Sequence, residues 1–240
     1  MNTVGIIEAR MGSRRFPGKV LAKIGSKESI LYLIDRLKIS KKLNNVIVAT
    51  SENKKDDELV ALLKKNFIDY FRGSEENVLE RVYSASRKFK AEVIVELSGD
   101  SPFLDPEIID ETITFFHNNS HLDYINVDHN YPGGIGFQVF KYDTLKKCYY
   151  NSKTEYEKEH VTPYIRSNPT EFKSFYFFAP KKISFPNVKF LLDEKIDLEF
   201  LNKVVSKNTK FMNTEDLLHI VLKKNYLSIN SRVQRTIFKA

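Results

Sequence analysis

Cysteine is nearly missing from this chain: Cys148 stands alone among 240 residues. A single thiol excludes an internal disulfide framework and fits a reducing compartment. Long apolar runs are missing too; none approaches the roughly 20 residues a bilayer requires. The first apolar stretch is a few residues long and runs straight into charge, so no secretory leader is expected and the cytoplasm is the expected location. Internal repeats and low-complexity linkers are absent, which favours one domain over residues 1–240. Acidic charge is in deficit: 38 Lys and Arg face 31 Asp and Glu, for a net charge of +7. A basic balance favours polyanionic partners, either nucleic acid or phosphorylated small molecules. The lysines are scattered in pairs such as Lys41-Lys42, Lys64-Lys65 and Lys223-Lys224, which read as solvated helix faces and ends. Neither a nucleic acid nor a membrane is the expected partner.

What is present is a soluble, globular composition with 42% hydrophobic residues, arranged in alternation. Apolar runs at Val4–Ile7, Val46–Thr50 and Val93–Leu97 read as buried strands, and Tyr70–Gly73 as a short one. Between them, Ser29–Ile39, Asp56–Lys65 and Val78–Phe89 carry helical spacing. Pro106–Phe116 is a further helix with Asp105 as its N-cap. Continuous apolar strands separated by helices predict a mostly parallel sheet with helices on both faces. Past residue 120 the pattern loosens. Asp123–Val127, Phe137–Phe140, Phe172–Phe178 and Val188–Leu192 read as strands; Thr154–Arg166, Asp197–Val205 and Thr214–Lys223 read as helices. Gly133–Gly136 reads as a flexible turn. The aromatic run Phe175–Phe178 suits the core, a hairpin or a contact between two copies of the chain. A basic tail with Arg232, Arg235 and Lys239 closes the sequence.

The first strand empties into Ala9-Arg10-Met11-Gly12-Ser13-Arg14-Arg15-Phe16-Pro17-Gly18-Lys19. Backbone N–H groups and positive charge gather there at the end of a buried strand, the arrangement that holds a polyphosphate. An NTPase P-loop is excluded, because it needs four residues between its glycines and Ser or Thr after the lysine. Here five residues intervene and Val20 follows. The dinucleotide pattern G-x-G-x-x-G is missing as well. The plain alternative is a glycine turn with solvated arginines, but like charges in so short a loop repel unless an anion neutralises them.

That loop resembles the nucleotide-binding signature of the acylneuraminate and Kdo cytidylyltransferases, most of all their spore-coat polysaccharide branch. The resemblance continues in order through Arg72-Gly73-Ser74-Glu75-Glu76-Asn77 and Gly99-Asp100-Ser101-Pro102. It goes on through Glu159-His160-Val161-Thr162-Pro163 and Lys189-Phe190-Leu191-Leu192-Asp193. It implies a three-layer, Rossmann-like α/β nucleotidyltransferase fold with a mostly parallel sheet and an irregular C-terminal half. It also implies division into a nucleotide-binding half over about 1–120, an acceptor and dimerisation half over about 121–228, and the tail. The implied activity is CMP transfer from CTP to an acceptor, with release of pyrophosphate, for polysaccharide or glycan assembly. A homodimer is the expected assembly. Guanylyl or uridylyl transfer on a sugar phosphate, and a non-catalytic nucleotide- or RNA-binding module, stay open.

Carried over by motif, Arg15, Lys19 and Arg10 are the expected catalytic groups. The expected nucleotide contacts are Ala9, Arg10, Met11, Gly12, Ser13, Arg15, Lys19, Gly73, Ser74, Asn77 and Asp100. Gly73, Ser74 and Asn77 have an equally plain reading as a β-turn and helix cap. Magnesium is the expected cofactor, on Asp100 and Asp193; each follows a strand, and carboxylates with phosphate oxygens suit that hard cation. Asp197 is a nearby helper or a surface acid. Asp128, Gln138, His160 and Arg166 are the expected acceptor contacts. The Pro132–Phe137 stretch carries glycines where the family carries acids, so an anionic acceptor is expected.

Overall fold

The computed structural model describes residues 1–206 and 208–230. The expected basic tail, with Arg232, Arg235 and Lys239, lies outside the described residues. Among the described residues there are nine strands: β1 (Thr3–Glu8), β2 (Lys23–Ile24), β3 (Lys27–Glu28), β4 (Asn45–Ser51), β5 (Tyr70–Gly73), β6 (Val93–Ser98), β7 (Tyr124–His129), β8 (Phe137–Lys141) and β9 (Ser174–Phe178). The helices are α1 (Ser29–Leu37), α2 (Asp57–Lys65), α3 (Val78–Lys88), α4 (Pro106–Asn118), α5 (Tyr142–Asn151), α6 (Glu155–His160), α7 (Pro163–Ser167), α8 (Lys195–Val204), α9 (Thr214–Lys223) and α10 (Leu227–Asn230). Among the described residues, no helix is long and apolar enough to cross a membrane.

Seven strands form one sheet in the order β5-β4-β1-β6-β8-β7-β9. All pairings are parallel except the two made by β8, so β8 alone runs against the rest. Its side chains split by the period of two. Ile7, Val48, Val95 and Leu97 pack on one face with apolar residues of α1, α2, α4, α8 and α9. Val4, Ile6, Ile47, Ala49 and Ile94 pack on the other with α3, α5 and α7. Helix, sheet and helix give three layers, as expected. The α4 start is also as expected: Asp105 accepts from Glu107 N at 3.0 Å, with Pro106 in the first turn. Asp105 accepts from Thr214 as well, tying α4 to α9.

The C-terminal half departs from the sequence pattern in several places. The helix expected over Thr154–Arg166 is broken into α6 and α7. Val161 takes φ 61 between them, and Pro163 starts α7. A β-branched residue in the left-handed region is strained, and Val161 is held there fully buried. The segment expected as the strand Val188–Leu192 makes only an isolated bridge, Gly133 with Lys189. Its backbone bonds go to loops: Gly133 N donates to Val188 O, Phe190 N to Gly133 O and Leu192 N to Asp100 O. Gly133–Gly136 is therefore a packed seat rather than a flexible turn. Gly134 has φ +86, and a Cβ there would stand 2.8 Å from Leu191 N. The aromatic run becomes β9, parallel to β7 rather than in a hairpin, and it lies at the sheet's edge. Phe178 is 63% exposed, so the run is not core. Helix α5 has no counterpart among the expected elements; the i, i+3, i+6 spacing of Tyr142, Leu145 and Cys148 carries its signal.

Candidate active site

The carboxyl ends of the parallel strands gather the loop after β1, the loop after β5 and the loop after β6 in one place, where ligands bind in open α/β sheets. The loop after β1 is shaped by its own backbone: Gly18 N and Ser13 N both donate to Met11 O at 3.0 Å. Gly18 sits at φ +72, a conformation glycine adopts without strain. Asp56 pins this loop to the sheet. Its carboxylate accepts from Met11 N at 2.7 Å, from Thr50 Oγ1 at 2.9 Å, and from Ser51 N and Oγ. Burial alone pushes the Asp56 pKa up, but the Ser51, Met11 and Thr50 donors outweigh it and hold it below the ordinary value. Asp56 was not foreseen; its signal is a carboxylate just past the end of a buried strand, at the start of a helix.

Lys19 is the centre of the charged cluster. Its ammonium lies 2.6 Å from Asp100 Oδ2 and 2.9 Å from Asp193 Oδ1. Arg15 reaches Asp193 Oδ2 at 3.1 Å. Burial works against the Lys19 charge, yet Asp100 and then Asp193 outweigh it and hold its pKa above the usual lysine value. Residues far apart in sequence thus meet on one ammonium. Gly99 allows it: a Cβ there would stand 2.8 Å from Glu8 O, so only glycine lets the loop after β6 lie so close to β1.

Asp193 is set in place by a buried polar cluster behind it. Asp197 is fully buried, which removes the surface-acid reading. Its Oδ2 accepts from Asp193 N at 3.0 Å, Glu194 N at 2.8 Å and Lys189 Nζ at 2.8 Å. Its Oδ1 accepts from Asn230 Nδ2 at 3.2 Å, and the same amide donates to Lys189 O. The helix start therefore doubles as a mount for the Asp193 loop, and α10 closes it. Nothing in the spacing signals Asn230, which arrives from the far end of the described chain.

The remaining loop residues take defined places. Ala9 is buried beneath Gly99. Arg10 Nη1 donates to Glu75 O at 3.4 Å, and Arg81 Nη1 to Ser74 O and Glu75 O. Gly12 is exposed opposite Glu75, and Ser13 Oγ accepts from Phe16 N. Ser74 and Asn77 have structural jobs: Asn77 Oδ1 caps α3 at Glu80 N, and Ser74 Oγ accepts from Asn77 N. A Cβ on Gly73 would stand 2.9 Å from the Phe71 ring. Arg14 is exposed.

Two of the expected acceptor residues, Gln138 and Arg166, are joined through one chain of hydrogen bonds. Gln138 Oε1 accepts from Tyr124 Oη at 2.8 Å and from Thr162 Oγ1 at 2.5 Å. Thr162 Oγ1 accepts in turn from Arg166 Nη1 at 3.1 Å. Thr162 and Tyr124 were not foreseen as members of this chain of bonds. His160 stands one turn away against the Tyr156 ring, its pKa lowered by burial and then by Arg166, with Glu159 opposing. Asp128 is exposed near the end of β7, beside Gly136.

For a divalent cation the donor set is two carboxylates, Asp100 and Asp193, converging on one point. Among the described residues no group of three or more His, Cys, Asp or Glu side chains could hold a metal ion. Two hard oxygen donors fit magnesium in its nucleotide-bound mode, where phosphate oxygens and water complete the shell.

A family model described as cytidylyltransferase matches residues 4–226. The spore coat polysaccharide biosynthesis protein SpsF of Bacillus subtilis is 37% identical over 208 residues, covering 84% of this chain and 85% of its own. A solved cytidylyltransferase from Leptospira borgpetersenii superposes with a TM-score of 0.88 at 29% identity, covering all of both chains. CMP:2-keto-3-deoxy-manno-octonic acid synthetase, solved with CTP, superposes with a TM-score of 0.64 at 17% identity, over 84% of this chain and 97% of its own. That last likeness is one of fold: a Rossmann-like nucleotidyltransferase sheet.

Proposed function

The chain belongs to the cytidylyltransferase family, on the branch that holds SpsF, and from that premise we propose that it transfers CMP from CTP to an anionic small-molecule acceptor, releasing pyrophosphate, in the assembly of a surface polysaccharide or glycan. The observation that carries the reading is the convergence of Asp100, Asp193 and Arg15 around Lys19 at the ends of the strands. Transfer of this kind is mostly positioning and neutralisation of charge. The N–H groups of the loop after β1 and Lys19 hold the β- and γ-phosphates. Arg15 and Arg10 stabilise the charge that develops on the departing pyrophosphate. Asp100 and Asp193 would hold magnesium, which supplies charge neutralisation on the phosphate oxygens when bound. As phosphate arrives it competes with the two carboxylates for Lys19 and Arg15.

The acceptor reading rests on Arg166 and His160, cation and imidazole beside Gln138, and on glycines in place of acids at Gly133–Gly136. A hydroxyl on the acceptor gives a CMP-linked product, a phosphate a CDP-linked one. The enzyme works in the cytoplasm as a homodimer. The exposed edge of β9, with Phe175, Tyr176 and Phe178, is the surface for the second copy; sedimentation of a Phe178→Glu variant as a monomer and of the parent as a dimer is the expected result.

The deciding experiment measures pyrophosphate release with CTP, GTP, UTP and ATP in turn, with magnesium, against acidic sugars and sugar phosphates. CTP-dependent release is expected. Thermal shifts with each nucleotide run alongside, since a bound nucleotide stabilises the fold by mass action. Turnover with GTP or UTP instead would replace the nucleotide, and a CTP shift without turnover on any acceptor would reduce the protein to a binding module.

A further inference from the structure

The cations of the loop after β1 and the carboxylates facing them form one connected ion-pair network. Lys19 bonds Asp100 and Asp193, and Arg15 reaches Asp193. Lys189 stands 3.8 Å from Asp193 Oδ2 and 2.8 Å from Asp197 Oδ2. Among the described residues, three cations thus face three carboxylates, and the network carries no net charge before a ligand arrives. It is also largely shut off from water. Asp193, Asp197 and Lys189 are buried, and the Lys19 side chain is 12% exposed; Arg15 alone is open, at 48%. Charge added in such a place without a counter-charge finds little solvent to screen it.

All four oxygens of the Asp100 and Asp193 carboxylates are already engaged. Asp100 Oδ1 accepts from Ser98 Oγ at 2.5 Å, and Asp100 Oδ2 from Lys19 Nζ at 2.6 Å. Asp193 Oδ1 accepts from Lys19 Nζ at 2.9 Å, and Oδ2 lies 3.1 Å from Arg15 Nη2. A cation shared by the two carboxylates has to stand between them, and the Lys19 ammonium stands there. A second cation beside the ammonium would meet strong repulsion where water is scarce. A divalent ion alone would also leave the network with two uncompensated positive charges. A nucleoside triphosphate brings the missing negative charge and at the same time offers Lys19 other oxygens to bind. The cluster divides accordingly. Lys189 is fixed from behind, its ammonium by Asp197 and its carbonyl by Asn230. Lys19 and Arg15 belong to the loop after β1, so the exchange of partners falls to them.

We propose that Lys19 is a stand-in cation. In the nucleotide-free protein its ammonium takes the place of the divalent ion on Asp100 and Asp193, so that ion binds only together with a nucleoside triphosphate, whose phosphates draw the ammonium away. This rests on the transferase reading given above and adds to it an order of events at the same site. Lys19 has two alternative sets of partners, the carboxylate oxygens and the phosphate oxygens, and each state is balanced in charge. Until the nucleotide arrives, the ammonium also keeps the two aspartates from repelling each other, which holds the site assembled. The two aspartates depend on it unequally. Lys19 is the sole ion-pair partner of Asp100 among the described residues, whereas Asp193 keeps Lys189 at its back when Lys19 leaves. Asp100 therefore has the most to gain from the incoming ion.

The test uses the full chain, no acceptor, and manganese(II) as the probe, a paramagnetic ion that carboxylate and phosphate oxygens accept as they accept magnesium. Water-proton relaxation rises when the ion is held on a slowly tumbling protein. The parent is expected to give no rise with Mn2+ alone and a rise once CTP is added. Its melting temperature is expected to ignore the ion unless CTP is present. Lys19→Met removes the ammonium and keeps an unbranched side chain. It is expected to bind Mn2+ without nucleotide at least about ten-fold more tightly than the parent, and to recover with the ion the melting temperature it loses without it. Lys19→Arg keeps the charge and is expected to refuse the ion as the parent does. Adding Asp100→Asn to Lys19→Met should abolish the gain, which locates it at this pair. Mn2+ held by the parent alone as tightly as by Lys19→Met overturns the proposal, as does a gain that survives Asp100→Asn. Where circular dichroism shows Lys19→Met unfolded, the parent decides: relaxation raised by Mn2+ alone and unchanged by CTP overturns it too. A parent that responds to CTP neither in relaxation nor in melting is a different failure. It sinks the transferase reading, while Mn2+ binding by Lys19→Met still reports on the lysine.

Discussion

Two carboxylate pairs stand toward the same end of the sheet and meet opposite treatment. Asp100 and Asp193 come together around a cation: Lys19 is within 3 Å of both, and Arg15 adds a second charge to Asp193. Glu8 and Glu96 come together around nothing but each other, in a drier place, with Arg81 and Arg166 near but not in contact. The first pair is a charge-balanced cluster that an incoming phosphate and cation can re-partition. In the second, burial pushes both carboxyls above the ordinary carboxylate range. Self-neutralisation suits a site whose proposed partners, phosphate and cation, are highly charged.

The support behind the aspartate pair is the place to break that contrast hardest. Asp197→Ala leaves the Lys189 ammonium buried with its 2.8 Å partner gone and unfastens the Asp193 backbone. Removing one member of a buried pair costs about 3–5 kcal/mol, so the melting temperature should drop steeply. Replacing both with apolar residues, as Lys189→Met with Asp197→Leu, should recover much of that stability but not the turnover. Full turnover in the double variant would show that the cluster positions nothing.

Lys19→Ala makes the aspartate pair resemble the glutamate pair by taking away its shared cation. Pyrophosphate release should fall about 10²-fold or more, the typical cost of a lost charge-stabilising donor, with the fold intact by circular dichroism. Retained turnover would mean that the lysine only balances the charge of the two aspartates.

The smallest effect sharpens the comparison from the other side. Glu96 has its pKa raised by burial and by Glu8, so the native state binds more protons than the unfolded chain at pH values above the ordinary carboxylate range. Stability then falls as pH rises from the unfolded value toward the folded one, and the full penalty stands above the latter. Glu96→Gln abolishes that titration. Its melting temperature should exceed the parent's by a few degrees at alkaline pH, and the gap should close on acidification. A gap that is independent of pH would place the pair in the ordinary class of polar core groups.

Much of the nucleotide side could be read from residues in a row. Arg10 to Lys19 lie in one short loop after one apolar strand, and Asp100 follows another, so parallel topology alone brings them to one end of the sheet. The C-terminal half could not be read that way. Val161 accepts a strained φ that no spacing rule signals, and the segment before Asp193 trades strand pairing for bonds to Gly133 and to the Asp100 loop. The glutamate pair had a faint signal: two acids at inward positions of otherwise apolar strands. That signal stays silent until the register shows them to be neighbours.

What the amino-acid order determined unaided is therefore the alternation of strand and helix, the family, and the charged glycine loop after β1, because each depends on contacts between near neighbours or on motifs of a few residues. Tertiary structure alone decided that Lys19 stands between two aspartates, that Asn230 closes the mount of Asp193, and that Glu8 faces Glu96. Those are contacts across the sheet between residues tens to hundreds of positions apart. Their energies come from burial and shared charge, quantities that exist only once the layers have closed around them.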